Sequence, residues 1–145
     1  MHAIVVALLM ALSTTASATD WKLDCPAQLS TAQSVAGAVP EGWSAVDRTA
    51  SAVKDAAPGV AVTAAASPIS ISVFDGPPSE MADLVPDNPN AKVQRWTLGK
   101  QRTRDIYIVC NYADTRLKLA RKVPPAVTAC TASPRDGAMT GVVCK

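Results

Sequence analysis

The chain carries alternating apolar and polar residues with the period of two that is typical of half-buried β-strands. In PISISVF, residues 68–74, isoleucine and valine alternate with serine. IYIVCNY, residues 106–112, is rich in β-branched and aromatic residues, which favour strands. Four more segments of the second half are predicted strands: residues 93–98, 116–122, 127–131 and 141–144. Because the connections are short, we predict a single antiparallel sheet or meander with one face on the core.

The first half has a weaker strand pattern and one stretch of unusual composition. Residues 21–39 predict an early strand, and residues 43–47 predict a second one after a Pro-Glu-Gly turn. Residues 49–67 are rich in alanine, lack bulky side chains and are divided by Pro58-Gly59. Alanine favours helix, but proline and glycine interrupt it. We therefore expect a surface insertion at residues 49–67 with a short helical turn around residues 50–57.

The stretch SVFDGPPSEMADLVPD, residues 72–87, ends a strand abruptly. Its two adjacent prolines suit the first turn of a short helix, and Glu80 and Asp83 would lie near the positive end of that helix. Three apolar residues are then expected to face inward: Met81, Leu84 and Val85. The proline, glycine and acidic residues all have structural uses here. The same rigidity and negative charge also make this stretch a candidate surface for a partner.

The N-terminus has the pattern of a secretory signal peptide. Its apolar run, residues 3–12, is too short to span a bilayer, and Ala16-Ser17-Ala18 is a small-residue cleavage pattern. We predict that residues 1–18 are removed and that residues 19–145 form one exported domain, periplasmic or secreted, with no transmembrane span. A chain of that length buries enough surface for one core.

All four cysteines lie after the predicted cleavage site. Exported chains with an even number of cysteines usually pair them, and four cysteines allow three connectivities. Cys130 and Cys144 are symmetric about Gly137, so a tight hairpin there would place them opposite each other, although a longer loop would break this symmetry. The spacing favours Cys130–Cys144 with Cys25–Cys110 and leaves the other pairings open. We thus predict a mainly β domain with a minor helical part, one or two short helices and two disulfides.

Charge is distributed unevenly along the predicted mature chain. Residues 19–91 contain three basic and nine acidic residues, a net charge of −6, whereas residues 92–145 contain eleven basic and three acidic residues, a net charge of +8. The simpler interpretation is that the two halves attract each other within the fold. The alternative is a basic face for an anionic partner.

Several kinds of chemistry are excluded by the residues present. The one histidine, His2, leaves with the signal peptide, so the mature chain has no Ser-His or Cys-His dyad and no histidine-ligated zinc. The cysteines lack a close C-x-x-C pair, and Asp75 to Pro78 lacks the alternating oxygen ligands of a calcium loop. We expect no metal and no cofactor. Carboxylates such as Asp75 and Glu80 could serve a histidine-free hydrolase, but acidic residues beside glycine and proline are more often turn and cap groups.

The basic residues of the second half suggest a binding surface. Five of them form a cluster in the sequence: Arg102, Arg104, Lys118, Arg121 and Lys122. An exported, disulfide-bridged protein rarely meets nucleic acid, so we expect no nucleic-acid partner. Lysine and arginine on an edge strand also discourage aggregation between strands.

The exported start and several motifs resemble a family of small exported proteins of Gram-negative bacteria, some of them encoded near type VI secretion genes. The motifs are CP at residues 25–26, PEGW at residues 40–43, FDGPPSEMADLVPD at residues 74–87, WTL at residues 96–98, IYIVCNY at residues 106–112 and LKLARKVPPAVTAC at residues 117–130. The resemblance covers nearly all of the predicted mature chain and is weakest over residues 49–67. It implies an immunity or envelope-protection role and supplies no catalytic residues.

We therefore predict a non-enzymatic periplasmic binding protein, an inhibitor or immunity protein of an envelope enzyme, with an envelope protein as its partner. The alternative is a structural envelope protein that binds anionic peptidoglycan or lipopolysaccharide through its basic half. The candidate partner surface comprises Asp75, Glu80, Asp83, Lys118, Arg121 and Lys122.

Overall fold

The computed structural model of the protein describes residues 20–41, 44–48, 53–55 and 58–145. The predicted signal peptide and its cleavage site lie outside these ranges. The described residues form eleven strands: β1 (Trp21–Asp24), β2 (Leu29–Gln33), β3 (Val46–Arg48), β4 (Val53–Asp55), β5 (Val62–Ala66), β6 (Pro68–Asp75), β7 (Gln94–Thr97), β8 (Ile106–Tyr112), β9 (Lys118–Lys122), β10 (Ala129–Ala132) and β11 (Gly141–Cys144). A 3₁₀ helix of three residues, Pro78–Glu80, follows β6.

The strands pair antiparallel, but they belong to four sheets rather than to one. A four-stranded sheet has the order β1-β11-β10-β7, and a three-stranded sheet has the order β6-β8-β9. The strands β2 and β5 form a separate pair, as do β3 and β4. The mainly β, antiparallel, two-disulfide prediction is confirmed, whereas the prediction of a single sheet is wrong. The reason is that β6, β8 and β9 pair with one another, whereas β1 and β11 pair with each other in the sheet that also holds β10 and β7.

The inner faces of the two larger sheets share one hydrophobic core. Alternate residues of β8, including Ile108 and Cys110, enter this core, while on the other face of the strand Val109 is buried and Tyr107 and Asn111 are half-buried. From the other sheet, Trp96 and Val142 pack into the same cluster. Burying one such aliphatic side chain contributes about 1.5–3 kcal/mol. The core therefore holds the three-stranded sheet, and the loops at its ends, in a fixed place.

Both predicted pairs of cysteines are bridged in the structure. The Cys25–Cys110 bridge joins the residue after β1 to β8 across 85 residues of sequence, so it ties the two larger sheets together. The Cys130–Cys144 bridge joins directly opposed residues of β10 and β11, with Cα atoms 4.0 Å apart. This is the connectivity that the sequence favoured, and both cysteines of the second bridge are fully buried.

The symmetry about Gly137 arises from a two-residue hairpin turn. Asp136 and Gly137 have φ values of 49° and 85°, and Arg135 and Ala138 exchange backbone hydrogen bonds of 2.8 and 3.0 Å around them. An Asp-Gly pair with both φ values positive is the preferred sequence for such a turn, because its twist matches that of the strands. The turn therefore sets the register that opposes the two cysteines.

The described residues of the alanine-rich stretch include two strands, β4 and β5. Residues 53–55 are β4, so the predicted helical turn around residues 50–57 is wrong at those three positions, and its other residues lie outside the described ranges. Residues 62–66 pair along the whole of β2, and only Ala66 among them is buried. Hydrogen bonding between strands overrides the helical preference of alanine here. Within the ranges described, no helix is long and apolar enough to cross a membrane.

Candidate partner-binding site

The chain turns sharply after β6 into a segment that we name the 75–87 loop. The turn depends on Gly76, which has a φ of 96° and donates its N–H to the carbonyl oxygen of Asp105 at 2.8 Å. A Cβ atom at this position would overlap the guanidinium of Arg104. The 3₁₀ helix begins at Pro78, one of the two prolines predicted to suit a first helical turn, and Met81 caps its end in the left-handed conformation with a φ of 57°.

After the helix the loop returns along the end of β6 and covers its outer edge at residues 73–75. The N–H of Asp75 donates to the carbonyl of Ala82 at 2.9 Å, and the N–H of Leu84 donates to the carbonyl of Val73 at 2.7 Å. Buried Trp96 adds a third hydrogen bond, from its indole Nε1 to the carbonyl of Leu84 at 2.9 Å. The loop is therefore fixed by backbone bonds on one side and by a core side chain on the other.

The far end of the loop is fixed by Asp87. Its carboxylate accepts hydrogen bonds from the hydroxyl of Thr97 at 2.7 Å and from the backbone N–H of Thr97 at 3.3 Å. These hydrogen bonds hold the pKa of Asp87 below its ordinary value, and the nearby charge of Arg95 lowers it further. Its own N–H donates to the carbonyl of Arg95 at 2.7 Å. Asp87 thus ties the end of the loop to β7.

Arg104 pairs with both acidic residues at the start of the loop. Its guanidinium forms ion pairs with the carboxylates of Asp75 and Glu80. The next residue, Asp105, pairs with the ammonium of Lys122 at 2.8 Å, and this hydrogen bond raises the pKa of Lys122. The two carboxylates proposed for a hydrolase, Asp75 and Glu80, therefore both pair with one arginine.

The exposed side of the loop is apolar at two of three positions. Exposure alternates along the returning segment, so Met81, Asp83 and Val85 project outward while Leu84 packs on the core. Met81 is 77% exposed and Val85 is 74% exposed. The prediction that both face inward is wrong, because the helix stops after three residues and the chain continues with the period of two of extended backbone.

The basic residues of the candidate surface lie on β9, where all five residues are exposed. Lys118 and Lys122 share one face of the three-stranded sheet with their partners on β8, and Arg121 lies on the opposite face. There the Arg121 guanidinium carbon lies 5.9 Å from the centre of a Trp21 ring. A cation near the face of an aromatic ring is attracted to it, so Arg121 is held toward β1.

The six predicted surface residues therefore occupy four places. Asp75, Glu80 and Lys122 meet at one end of the three-stranded sheet, through Arg104 and Asp105. Asp83 stands outside that group on the exposed side of the loop, and Lys118 lies at the far end of β9. Arg121 lies on the other face of the sheet.

Ion pairs across the chain agree with attraction between its acidic and basic halves. Of the five ion pairs found in the described ranges, four join an acidic residue before position 91 to a basic residue after it. The fifth is Lys122 with Asp105. Each pair is substantially exposed, so solvent screens it and it stabilises the fold little. The ion pairs matter here because they fix the positions of the side chains that they join.

Sequence reasoning missed the supporting role of two arginines. Arg104 holds the loop, and Arg102 donates from Nη2 to the carbonyl oxygens of Pro124 and Pro125 at 3.2 and 2.8 Å. Both were assigned to a basic cluster, because no local signal in the sequence shows which distant acceptor an arginine will meet. Nor did the pattern show that Trp96 would bind the loop backbone.

Other features of the described residues offer less for a partner or a ligand. An open hollow of about 470 Å³ lies along β2 and β5 and is lined mainly by valine and alanine. In the part of the chain that the structure describes, no three histidine, cysteine or acidic residues lie close enough to hold a metal ion. The most constrained exposed feature remains the 75–87 loop.

This arrangement defines a disulfide-bridged β-protein that presents a fixed loop and an exposed basic strand. The sequence profile of one family, described as the type VI secretion system Tli immunity protein, matches residues 67–145. That is more than half of the chain, and the chain belongs to this family. The matched segment contains β6 to β11 and the whole 75–87 loop. The predicted tie to type VI secretion is thereby confirmed, and no curated protein or solved structure matches the chain.

Proposed function

We propose that this protein is the immunity partner of a type VI secretion effector and that it blocks the effector by binding it outside the cytoplasm. The observation that carries the proposal is the family match, which spans the exposed 75–87 loop and the exposed strand β9. An immunity protein of this kind needs a rigid scaffold and a complementary surface. It needs no catalytic group of its own.

The 75–87 loop has the properties of a binding hot spot. Large apolar side chains that are exposed on a fixed backbone lose little conformational freedom when a partner covers them. Met81 and Val85 fit that description, because hydrogen bonds on both sides hold the backbone between them. Asp83 between them favours an effector cleft that is apolar and has basic residues at its rim.

The left-handed conformation of Met81 also supports a binding role. A non-glycine residue with positive φ costs of order 1–3 kcal/mol and persists only where its surroundings enforce it. Here the enforcing groups are the hydrogen bonds from the N–H of Met81 to Pro78 and between β6 and the returning segment. The conformation turns a large apolar side chain toward solvent, where a partner can cover it.

The predicted compartment is the periplasm, and the predicted target is an effector enzyme that acts on the envelope. Two disulfides join all four cysteines, which suits an oxidising compartment. The signal-peptide pattern of residues 1–18 points the same way. An inhibitor in that compartment meets an incoming effector before the effector reaches its substrate.

A neutralisation assay tests the proposal. The toxic domain of the cognate effector is directed to the periplasm of a sensitive bacterium, with or without this protein. We expect full protection from the complete chain and none from a chain that lacks residues 1–18. The purified proteins should form a stable complex in which the effector is inactive. Protection without residues 1–18, or no complex between purified proteins, would contradict the proposal.

A matched pair of variants separates the loop from the rest of the surface. Met81→Asp with Val85→Asp should weaken the complex by at least about 30-fold, the scale of a hot-spot residue worth 2 kcal/mol. Val46→Asp with Val60→Asp is the control, because those valines are also more than half exposed but lie away from the loop. Equal effects of the two pairs would contradict the role of the loop.

A further inference from the structure

We propose that the free edge of β9 accepts an extended acidic segment of the effector as an added β-strand. The identity of the partner rests on the proposed function, whereas the recognition chemistry rests on the edge itself. The three-stranded sheet has the order β6-β8-β9, so β9 has β8 on one side only. An edge strand with free backbone groups is a template for another strand.

The register shows which backbone groups are free. Val123 donates its N–H to the carbonyl of Ile106 at 2.8 Å, and hydrogen-bonded pairs alternate along antiparallel strands. Arg121 and Leu119 therefore bond to β8. The other three residues of β9 are Lys118, Ala120 and Lys122. Their N–H and C=O groups point away from the sheet, and no backbone group of the described chain bonds to them.

The opposite edge of the same sheet is covered at one end by the protein itself. Residues 82–84 of the 75–87 loop bond to residues 73–75 of β6 and occupy the position of a short fourth strand there. The chain thus covers the end of one edge with its own backbone, whereas no described backbone covers any part of the five-residue strand β9. Pro124 and Pro125 follow β9 and limit how far an added strand can extend.

The charges on β9 select the kind of strand that can bind. If two copies paired antiparallel about Ala120, Lys118 of one copy would oppose Lys122 of the other, and like charges directly opposed are destabilising. The edge therefore rejects its own copy, which is the usual protective use of lysine on an edge. Lys118, for which the described residues supply no acidic partner, attracts a strand that carries glutamate or aspartate opposite it, whereas Lys122 already pairs with Asp105.

Both faces of an added strand would meet favourable groups. Lys118 and Lys122 lie on one face, and Arg121 lies on the other with Leu119, which is 37% exposed. Leu117, just before β9, is 58% exposed. A purely protective edge has no use for exposed leucines. An incoming segment of alternating acidic and apolar residues would pair with the charges and cover the leucine side chains.

A synthetic peptide tests this chemistry without the effector. The probe is an eight-residue peptide of alternating glutamate and valine. The control peptide has lysine in place of each glutamate. We expect the glutamate peptide alone to bind, with an affinity that falls as salt rises. Amide hydrogen exchange should slow at Lys118, Ala120 and Lys122. Slower exchange elsewhere only, or equal binding of unstructured polyglutamate or lipopolysaccharide, would overturn strand addition.

Variants of the edge complete the test. Ala120→Pro removes an outward N–H but no bond to β8, and it should weaken peptide binding at least about tenfold. Lys118→Glu should weaken it through charge alone, while Lys92→Glu, the same change at an exposed lysine outside β9, should leave it unchanged. Lys118→Glu remains informative if Ala120→Pro fails to fold. Binding that survives both β9 variants would overturn the proposal.

The effector assay separates this inference from the proposed function. If the wild-type protein fails to neutralise the effector but its β9 amides bind the acidic peptide, the proposed function fails and the edge chemistry stands. If neutralisation is intact in Ala120→Pro and in Lys118→Glu, the effector does not use this edge. Strand addition by the effector is then overturned, and the immunity role stands.

Discussion

The two edges of the three-stranded sheet differ in what they show to a partner. At the end of β6, residues 73–75, the 75–87 loop binds the outward backbone groups, and the groups exposed there are side chains on a backbone held by hydrogen bonds. At β9 the backbone itself is available, and the side chains around it are mainly basic. One edge therefore offers shape and apolar contact, and the other offers hydrogen bonds and charge. A protein that uses both obtains affinity from the first and selectivity from the second.

The difference arises from a few residues. Gly76 and the two prolines after it turn the chain back onto β6, and Arg104 holds the turn. No comparable turn follows β9, because Pro124 and Pro125 direct the chain away and the carbonyls of both prolines bind Arg102. A sheet edge is covered where the chain that follows the strand turns back along it, as after β6. It stays uncovered where the chain leads away, as after β9.

The largest predicted effect is on the free energy of unfolding, when a disulfide that supports both edges of the three-stranded sheet is removed. Replacing Cys25 and Cys110 by serine removes a bridge across 85 residues and should lower the free energy of unfolding by about 4.5 kcal/mol. Replacing Cys130 and Cys144, 14 residues apart, should cost about 3 kcal/mol. Urea unfolding measures both. A larger loss from the shorter bridge would contradict the view that Cys25–Cys110 is the main tie between the sheets.

Gly76→Ala should affect one edge and spare the other. A side chain at a φ of 96° is strained and would displace Arg104, so we expect a loss of stability of about 2 kcal/mol. Binding through the 75–87 loop should weaken with it, whereas binding of the acidic peptide at β9 should not change. Gly99→Ala is the control, because its φ is also positive but its Cβ would meet open space. Equal losses from the two substitutions would contradict the role given to Arg104.

Trp96→Phe removes the indole donor to Leu84 and keeps most of the aromatic surface. We expect a loss of stability of about 1 kcal/mol, the size of a single hydrogen bond, together with faster amide exchange in the 75–87 loop. The amides of β9 should exchange as before. Unchanged exchange in the loop would show that the backbone bonds to β6 fix it without Trp96.

The smallest predicted effect is a pH dependence at the end of the loop. Since the folded pKa of Asp87 lies below its ordinary value of 3.8, its stabilising effect is fully present above that value and is lost as the pH falls through the folded pKa. The Tm difference between wild type and Asp87→Ala should therefore shrink in acid. Asp83→Ala is the control, because no described residue binds that carboxylate. A Tm difference for Asp87→Ala that persists at pH 2 would contradict this cause.

Local patterns predicted local structure well. The alternation in residues 68–74 located β6, the β-branched run located β8, and the symmetry about Gly137 matches the hairpin of the Cys130–Cys144 bridge. Each of these features depends on neighbours in the chain. That is why they could be predicted before any contact was known.

Long-range features could not be predicted in the same way. The division of the strands among four sheets depends on which strands meet, and strand length and alternation carry no such information. The outward direction of Met81 depends on where a 3₁₀ helix of three residues stops. The roles of Arg102 and Arg104 depend on acceptors more than twenty residues away. These contacts build the candidate site, which is why only part of it was predicted.

Hydrogen exchange of the effector complex tests the central claim most directly. The amides of the protein are compared with and without the bound effector toxic domain. We predict slower exchange in the 75–87 loop and at Lys118, Ala120 and Lys122 of β9, with little change along β2 and β5. Protection confined to β2 and β5, with the loop and β9 unchanged, would contradict the assignment of binding to the two edges of the three-stranded sheet.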